Sequence, residues 1–178
     1  MSHTRTRLLL AAATVVSGIL AGGIVDRVIV GGPAWHELGA DAWVQYSRRA
    51  DLGSGLVVYP VEGIGAALLI IAATLSNYFD RDSPRRAARA MYFAVAFSVI
   101  GLLLTVKAAP IMLALGKGQP TAARPDAFEE FFLWGLYVRG SVDALAFLGS
   151  VWALCLLTAS DGAKSHDVPL VAAERRKA

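Results

Sequence analysis

The chain has 178 residues, of which 56% are hydrophobic and only 17% are charged, and its mean hydropathy is +0.52. A soluble domain of this length usually carries more charge, so the composition indicates a small integral membrane protein of one domain, with the lipid bilayer as its first partner. The formal net charge of +3 comes from clusters beside apolar stretches, without interleaved aromatics, which argues against nucleic-acid binding. The single cysteine, Cys155, excludes an internal disulfide and a CxxC redox centre, and its apolar surroundings predict a small buried side chain.

Four apolar segments are long enough to cross a hydrocarbon core of about 30 Å. They cover about residues 8–30, 56–79, 90–115 and 131–159. These segments predict an all-α, four-helix transmembrane bundle over residues 1–160, followed by a polar, disordered tail over residues 161–178. Arg5 and Arg7 before Leu8 are also typical of a signal peptide, but the apolar run that follows exceeds a typical signal core and favours a retained anchor.

The connection between the first two segments is long for a helix-to-helix loop. We expect Gly31-Gly32 to end the first helix and Pro33 to begin another, since proline suits the first helical turn. Apolar and aromatic residues then recur at helical spacing, which predicts a short amphipathic helix in the first extracytoplasmic loop. Four aromatic residues here fit an interfacial belt: Trp35, Trp43, Tyr46 and Tyr59.

Positively charged residues mark the side of the membrane on which each loop lies. They gather in the N-terminal segment, in the loop after the second span and in the C-terminal tail: Arg5, Arg7, Arg81, Arg85, Arg86, Arg89, Lys164, Arg175, Arg176 and Lys177. The other two loops are balanced or acidic. The positive-inside rule therefore predicts a multi-pass protein of the cell membrane with both termini in the cytoplasm.

Ionisable residues inside membrane spans are costly and need a partner or a function. All four spans carry them at a similar depth in their outer halves: Asp26, Arg27, Glu62, Lys107, Arg139 and Asp143. Arg139 and Asp143 are four residues apart and can pair, and Glu62 and Lys107 have opposite charge. Ion pairs that fix helix register are one interpretation. A polar pocket beneath the Trp35–Tyr46 helix is the other, and it is favoured because four helices contribute at one level.

Two of these residues need qualification. On an ideal helix, Lys107 points away from the face that carries Ser98, Gly101 and Thr105, so it reaches the pocket only if that face is not the bundle core. His36 is the only histidine near this level, and it is either a surface residue or a general base. A single histidine does not predict a metal site, and no nucleophile elbow, HExxH motif or phosphate-binding loop is present in the sequence.

Two sequence segments carry a resemblance to a family. Residues 105–112, TVKAAPIM, and residues 134–139, WGLYVR, occur with four spans and a long first outer loop. The chain in this respect resembles the DUF1772, or anthrone-oxygenase-like, membrane proteins. The family often has Pro-Ile-Asn late in the third helix, where this chain has Met112 in place of the asparagine.

The resemblance implies cofactor-free oxidation of anthrones to anthraquinones by O₂. A base removes a methylene proton and a cation stabilises the resulting enolate. Arg139 and Lys107 are the expected cations, and Glu62 or His36 the expected base. The residues expected to bind the substrate are Trp35, Trp43, Tyr46, Tyr59 and Asp143. Neither a cofactor nor a metal is expected.

Two other functions stay open at this point. The chain could be a non-catalytic membrane subunit or assembly factor whose charges bind a partner. It could also be a small carrier with Glu62 as its proton site, although carriers usually bind near the midplane and these charges lie to one side. The identity of the hydrophobic small molecule and the formation of homo-oligomers are not decided by the sequence.

Overall fold

The computed structural model describes residues 2–80, 84–116 and 123–174, with side chains described for residues 4–80, 84–114 and 123–159. This part of the chain is almost wholly helical and contains no strand. Four continuous helical stretches are long and apolar enough to cross a membrane, and they are Thr4–Leu38, Ala40–Tyr78, Arg85–Ala114 and Arg124–Ala159. The prediction of an all-α chain with four helices long and apolar enough to span a membrane is therefore confirmed for the described residues.

Seven α-helices make up these stretches in the described residues. They are α1 (Ser2–Asp26), α2 (Gly32–Leu38), α3 (Ala40–Arg49), α4 (Gly55–Tyr78), α5 (Arg85–Gly116), α6 (Arg124–Phe131) and α7 (Arg139–Glu174). Wide π-type turns join several of them, over Arg27–Gly31, Ala50–Ser54 and Phe132–Val138. In the described residues, these π-type turns all lie in the half of the bundle that contains α2, α3 and α6.

The four long helices form a closed ring in the order α1, α4, α5, α7, with α1 and α7 again in contact. One half of this ring is packed by small side chains, which let membrane helices approach closely. Gly149 shows how closely, because a Cβ atom there would lie 2.8 Å from a ring carbon of Phe93 and 3.3 Å from Cα of Ala94. The buried residues of this first core are Leu10, Ala13, Ile70, Ala73, Ala87, Ala90, Met91, Ala94, Ala153 and Leu157.

A second core lies at the opposite end, where α2, α3 and α6 fold over the bundle. Trp43 and Phe132 are its largest fully buried side chains, and their rings meet at 6.1 Å. The remaining buried members are Val44, Met112, Ala127, Phe128 and Leu136. This aromatic cap, as we name the second core, closes the bundle at the end where the spanning segments carry their charges.

The course of the chain through residues 31–55 differs from the prediction. Gly31 and Gly32 have ordinary helical dihedral angles, so the helix does not end there. It ends at Gly39, whose φ of 89° lies in the region that glycine tolerates best. The helix α3 is amphipathic, with Trp43, Val44 and Ser47 buried and the opposite side exposed.

Several predictions concern other parts of the chain. Arg81 and residues 175–178 lie outside the described residues, as do the side chains of the tail from residue 160 onwards. The helix α7 continues to Glu174, so its backbone passes the predicted end of the fourth span at about residue 159. The division into a transmembrane domain and a cytoplasmic tail stays a prediction. Cys155 is exposed on the bundle surface, and the expectation that it is buried was wrong.

Candidate functional site

A cavity of about 480 Å³ lies between the first core and the aromatic cap, and all four long helices contribute to its wall. This volume is within the range of about 300–1,000 Å³ that is typical of small-molecule sites. Ser17 and Ala146 lie at the end nearest the first core, and Met112 and Phe131 at the end nearest the aromatic cap. The cavity therefore lies at the depth where the sequence places its intramembrane charges.

One polar cluster in the wall joins three separate elements. Arg27 follows α1, Asp51 lies in the π-type turn after α3, and Tyr59 is in the first turns of α4. The guanidinium of Arg27 donates to Asp51 Oδ1 and to the Tyr59 hydroxyl, and the hydroxyl in turn donates to Asp51 Oδ1 at 3.2 Å. Arg27 also lies over the Tyr59 ring, 4.8 Å from its centroid. The charge of this cluster is internally compensated.

A second polar cluster lies on α7 and α5, and it is paired much more loosely. Arg139 Nε lies 3.5 Å from Asp143 Oδ2, and Arg139 Nη1 lies 3.4 Å from Thr105 Oγ1. The Nε atom is buried and donates no hydrogen bond to any described residue. Because a guanidinium has five N–H donors, Arg139 keeps most of its donor capacity for a molecule in the cavity. Arg27 and Tyr59 lie within electrostatic range, so the two clusters form one polar wall.

Gly101 leaves space for the Asp143 carboxylate. A Cβ atom on Gly101 would overlap Asp143 Oδ1, so a larger residue would displace the carboxylate. The same turn of α5 supplies Thr105, whose hydroxyl donates to the Gly101 carbonyl at 2.9 Å. The close approach of α5 and α7 therefore depends on a glycine where the polar wall is built.

Each π-type turn lies next to a charged residue of this wall. Arg27 begins the first turn, Asp51 lies within the second, and Arg139 follows the third directly. A π-type turn rotates the residues beyond it relative to an ideal α-helix and is frequently found at functional sites. In this chain the three turns direct charges from three spans toward one cavity.

The opposite wall of the cavity is apolar. It is formed mainly by α4 and α5, through Leu56, Ile64, Leu102, Val106 and Leu113. The cavity therefore has apolar surface on α4 and α5 and its Arg139–Asp143 pair on α7, while Tyr59 of α4 and Thr105 of α5 also belong to the polar wall. Such a division suits an amphipathic ligand with one polar end.

Only some of the sequence-predicted site residues line this cavity. Arg139, Asp143 and Tyr59 do, whereas Glu62 and Lys107 do not. Glu62 makes no hydrogen bond or ion pair with a described residue, and Lys107 is exposed, with its Nζ 3.5 Å from the centroid of the Trp134 ring. The expectation that Glu62 and Lys107 converge with the Arg139 pair was therefore wrong. Ser98, Gly101 and Thr105 all line the cavity, which is the arrangement that directs Lys107 outward.

The other predicted residues belong to the aromatic cap. His36 donates from Nδ1 to the Gly32 carbonyl at 2.8 Å, and its Nε2 lies 3.5 Å from Glu129 Oε1. Trp43 is buried in the cap, and Trp35 stacks with Tyr46 at 5.4 Å. None of these four residues lines the cavity, and His36 and Tyr46 are exposed at the edge of the cap.

Sequence reasoning did not assign Arg27 and Asp51 to the site, although both line the cavity. A signal for Arg27 was available, because Ser17, Leu20 and Arg27 recur at helical spacing along the first apolar segment. Asp51 had no comparable signal. It stands among the balanced charges of a predicted loop, and only the π-type turn over Ala50–Ser54 brings it to the cavity.

The polar wall offers groups for acid–base and anion chemistry. Two guanidinium groups, two carboxylates and a phenol meet there, next to an apolar surface. Within the described part of the chain, no three His, Cys, Asp or Glu side chains are grouped as metal ligands usually are. The wall can thus bind an acidic oxygen at Arg139 while a carboxylate one turn away accepts a proton.

No protein-family model, no curated protein and no solved structure matches this chain. The resemblance to the DUF1772 family therefore stays a prediction, and the case for a function depends on the geometry of the cavity.

Proposed function

We propose that the chain is a small membrane enzyme whose cavity binds a hydrophobic molecule with a weakly acidic or carbonyl oxygen and removes a proton from it. One observation carries this proposal, namely that the buried Nε atom of Arg139, in the polar wall of the cavity, donates no hydrogen bond to any described residue and lies 3.5 Å from Asp143 Oδ2. A buried donor without a partner costs about 1–3 kcal/mol, and more when it is charged. A ligand oxygen at this position would remove that cost.

The residues of the polar wall suggest a division of roles that differs from the one derived from the sequence. Arg139 stabilises the oxyanion and Asp143, one turn along α7, is the base. The cluster of Arg27, Asp51 and Tyr59 provides a second, compensated donor group at the same wall. Glu62, Lys107 and His36 have no part in this scheme, since none of them lines the cavity.

The reaction that we propose is oxygenation of an anthrone-like substrate without a cofactor. Asp143 takes one methylene proton, and the electron pair of the broken C–H bond becomes part of an enolate whose oxygen lies against Arg139. The enolate carbon then reacts with O₂, and loss of water from the hydroperoxide leaves the second carbonyl of the quinone. One O₂ is consumed and one water is released for each anthrone.

We propose further that the chain lies in the cell membrane with both termini in the cytoplasm, an orientation in which the cavity is in the outer half of the bilayer. The charge asymmetry of the loops supports this orientation. A C-terminal reporter that works only in the cytoplasm should be active, and a reporter inserted at Gly118 should behave as extracytoplasmic. The reverse pair of results would move the cavity to the inner leaflet.

Binding without catalysis is the second candidate function. It is favoured by the internal compensation of the Arg27 cluster, which leaves Asp51 and Tyr59 engaged with Arg27. In that case the chain would hold a hydrophobic molecule, or act as a membrane subunit, without changing what it binds.

The experiment compares variants of the purified protein in lipid nanodiscs with anthrone as substrate. We expect wild type to increase O₂ consumption and quinone formation, and the double variant Arg139→Met with Asp143→Leu to lose about a hundredfold or more of that rate. Lys107→Met should stay close to wild type, because Lys107 contacts Trp134 outside the cavity.

The opposite order of effects, with Lys107→Met inactive and the double variant active, would overturn the proposal. Saturable binding of anthrone to wild type without O₂ consumption would instead establish the non-catalytic alternative. Arg85→Met, an exposed change at the start of α5, controls for loss of charge alone.

A further inference from the structure

The cavity reaches the outer surface of the bundle between α4 and α5. Four of its lining residues are also largely exposed, namely Leu56 (51%) and Ile64 (49%) on α4, and Val106 (72%) and Leu113 (45%) on α5. A side chain that lines a cavity and still leaves 45% or more of its surface exposed lies at the rim of an opening. All four are apolar, so this rim is suited to contact with lipid chains rather than water.

The packing of the ring agrees with an opening at this position. Among the four pairs of neighbouring long helices, α4 and α5 make the least extensive contact. Beside the cavity, a Cβ atom on Gly63 of α4 would lie 3.9 Å from Leu102 Cδ2 of α5. On the side of the first core both helices contribute buried residues, and on the side of the aromatic cap Tyr59, Pro60 and Val106 line the cavity.

The opening lies across the cavity from Arg139 and Asp143. These two residues are on α7, whereas the rim is on α4 and α5. Asp51 and Tyr59, which bind Arg27, lie just before and within the first turns of α4. A molecule that passes between α4 and α5 therefore meets Arg139 with its leading end and keeps its trailing end beside the bilayer. The geometry requires a polar oxygen at one end of the molecule and an apolar body at the other.

We infer that the cavity is loaded sideways from the bilayer, through the gap between α4 and α5, and that its ligand is a bilayer-dissolved amphiphile with an acidic oxygen at its leading end. This inference rests on the proposed binding of an acidic oxygen at Arg139. It adds the route of entry and the class of ligand. The body of the ligand extends into the rim between Leu56 and Val106, so its length is not limited by the cavity volume.

The test uses palmitic acid with a diazirine at mid-chain, supplied in phosphatidylcholine vesicles that contain the full-length protein. Illumination should attach the probe to residues 56–64 and 106–113, and unlabelled palmitic acid should suppress the labelling. Labelling that falls instead on α1 and α7 would contradict sideways entry.

A rim variant measures the route directly. Leu56→Trp with Val106→Trp narrows the opening with two exposed residues, and we expect the labelling rate to fall by about tenfold or more. The matched control is Leu68→Trp with Leu103→Trp, on the same two helices, since both residues are exposed at 62% and 64% and neither lines the cavity. Equal rates in the two double variants would overturn the inference, because entry would then not pass the rim.

A third variant separates failure of the route from failure of the site. The Arg139→Met and Asp143→Leu double variant should lose the competable labelling. If it does so while the rim variant labels as fast as wild type, only the entry route is wrong. If wild type shows no competable labelling, or if the Arg139 double variant keeps all of it, the proposed binding site fails and this inference fails with it.

Discussion

Removal of the Arg139 guanidinium should destabilise the bundle, and removal of its partner as well should restore most of the stability. The side chains of Arg139 and Asp143 are 21% and 10% exposed, and their closest charged atoms are 3.5 Å apart. Arg139→Met leaves the Asp143 carboxylate in the cavity wall without a cation. Such a loss costs about 3–5 kcal/mol for a buried pair, and we expect about 3 kcal/mol here because the pair is long and partly exposed to the cavity.

The double variant Arg139→Met with Asp143→Leu replaces the pair by apolar side chains of similar size. Replacements of this kind are often neutral or stabilising, so we expect it to lie within about 1 kcal/mol of wild type. For a chain of this length, each kcal/mol corresponds to about 2–4 °C in melting temperature. The single variant should therefore lose about 6–12 °C and the double variant no more than about 4 °C.

The assay is tryptophan fluorescence during heating of the detergent-solubilised protein, with Arg85→Met as the exposed control. Stability would be recorded beside anthrone turnover for every variant. A double variant that melts as early as the single variant would refute the reasoning, since Arg139 would then stabilise the bundle through contacts other than Asp143. A double variant that is stable and fully active would remove Arg139 from the site and leave the pair as a structural device.

Three further predictions concern the packing around the cavity, all measured by the same melting assay. Gly101→Ala should destabilise the protein by about 1–3 kcal/mol and reduce turnover, because the new Cβ atom would displace the Asp143 carboxylate. The control Gly65→Ala should be neutral or stabilising, because a Cβ atom there meets no atom within 4 Å. Equal effects of the two substitutions would show that the carboxylate has room to move. Trp43→Ala should cost about 3–5 kcal/mol, since its indole is 1% exposed in the aromatic cap, and a small loss would mean that the cap is not part of the cooperative unit. Arg124→Gln breaks an ion pair to a largely exposed carboxylate and should change stability by less than about 1 kcal/mol, so a large loss would indicate that this link between α6 and α3 holds the cap in place.

The sequence by itself was sufficient to predict four long apolar helices, their approximate limits and the positions of the ionisable residues along them. The length of a membrane-spanning helix follows from the thickness of the hydrocarbon core. Because a charged side chain in lipid costs free energy, every ionisable residue in a predicted span is a candidate for a structural or functional role. The pairing of Arg139 with Asp143 was equally accessible, because residues four apart lie on one face of any α-helix. These inferences need only the geometry of one helix at a time.

The composition of the site was decided by the tertiary structure. Periodicity specifies which residues share a face of one helix, but it does not specify how that helix is rotated against its neighbours. Glu62 and Lys107 do not line the cavity, and the Lys107 ammonium instead lies over the Trp134 ring. The position of a residue along its helix does not show whether its side chain faces the cavity, so Glu62 and Lys107 could not be distinguished from Arg139 in the sequence.

The sequence also did not predict that three residues of the cavity wall meet, namely Arg27, Asp51 and Tyr59. They come from three elements, and two of the connections between those elements are π-type turns that no hydrophobic pattern predicted. Each such turn changes the direction of the side chains beyond it. As a result, Asp51 and Arg27 both form a hydrogen bond with the Tyr59 hydroxyl. The spans were determined by local hydrophobicity, whereas the site depends on the rotation of each span about its axis, which only the packing of all four helices decides.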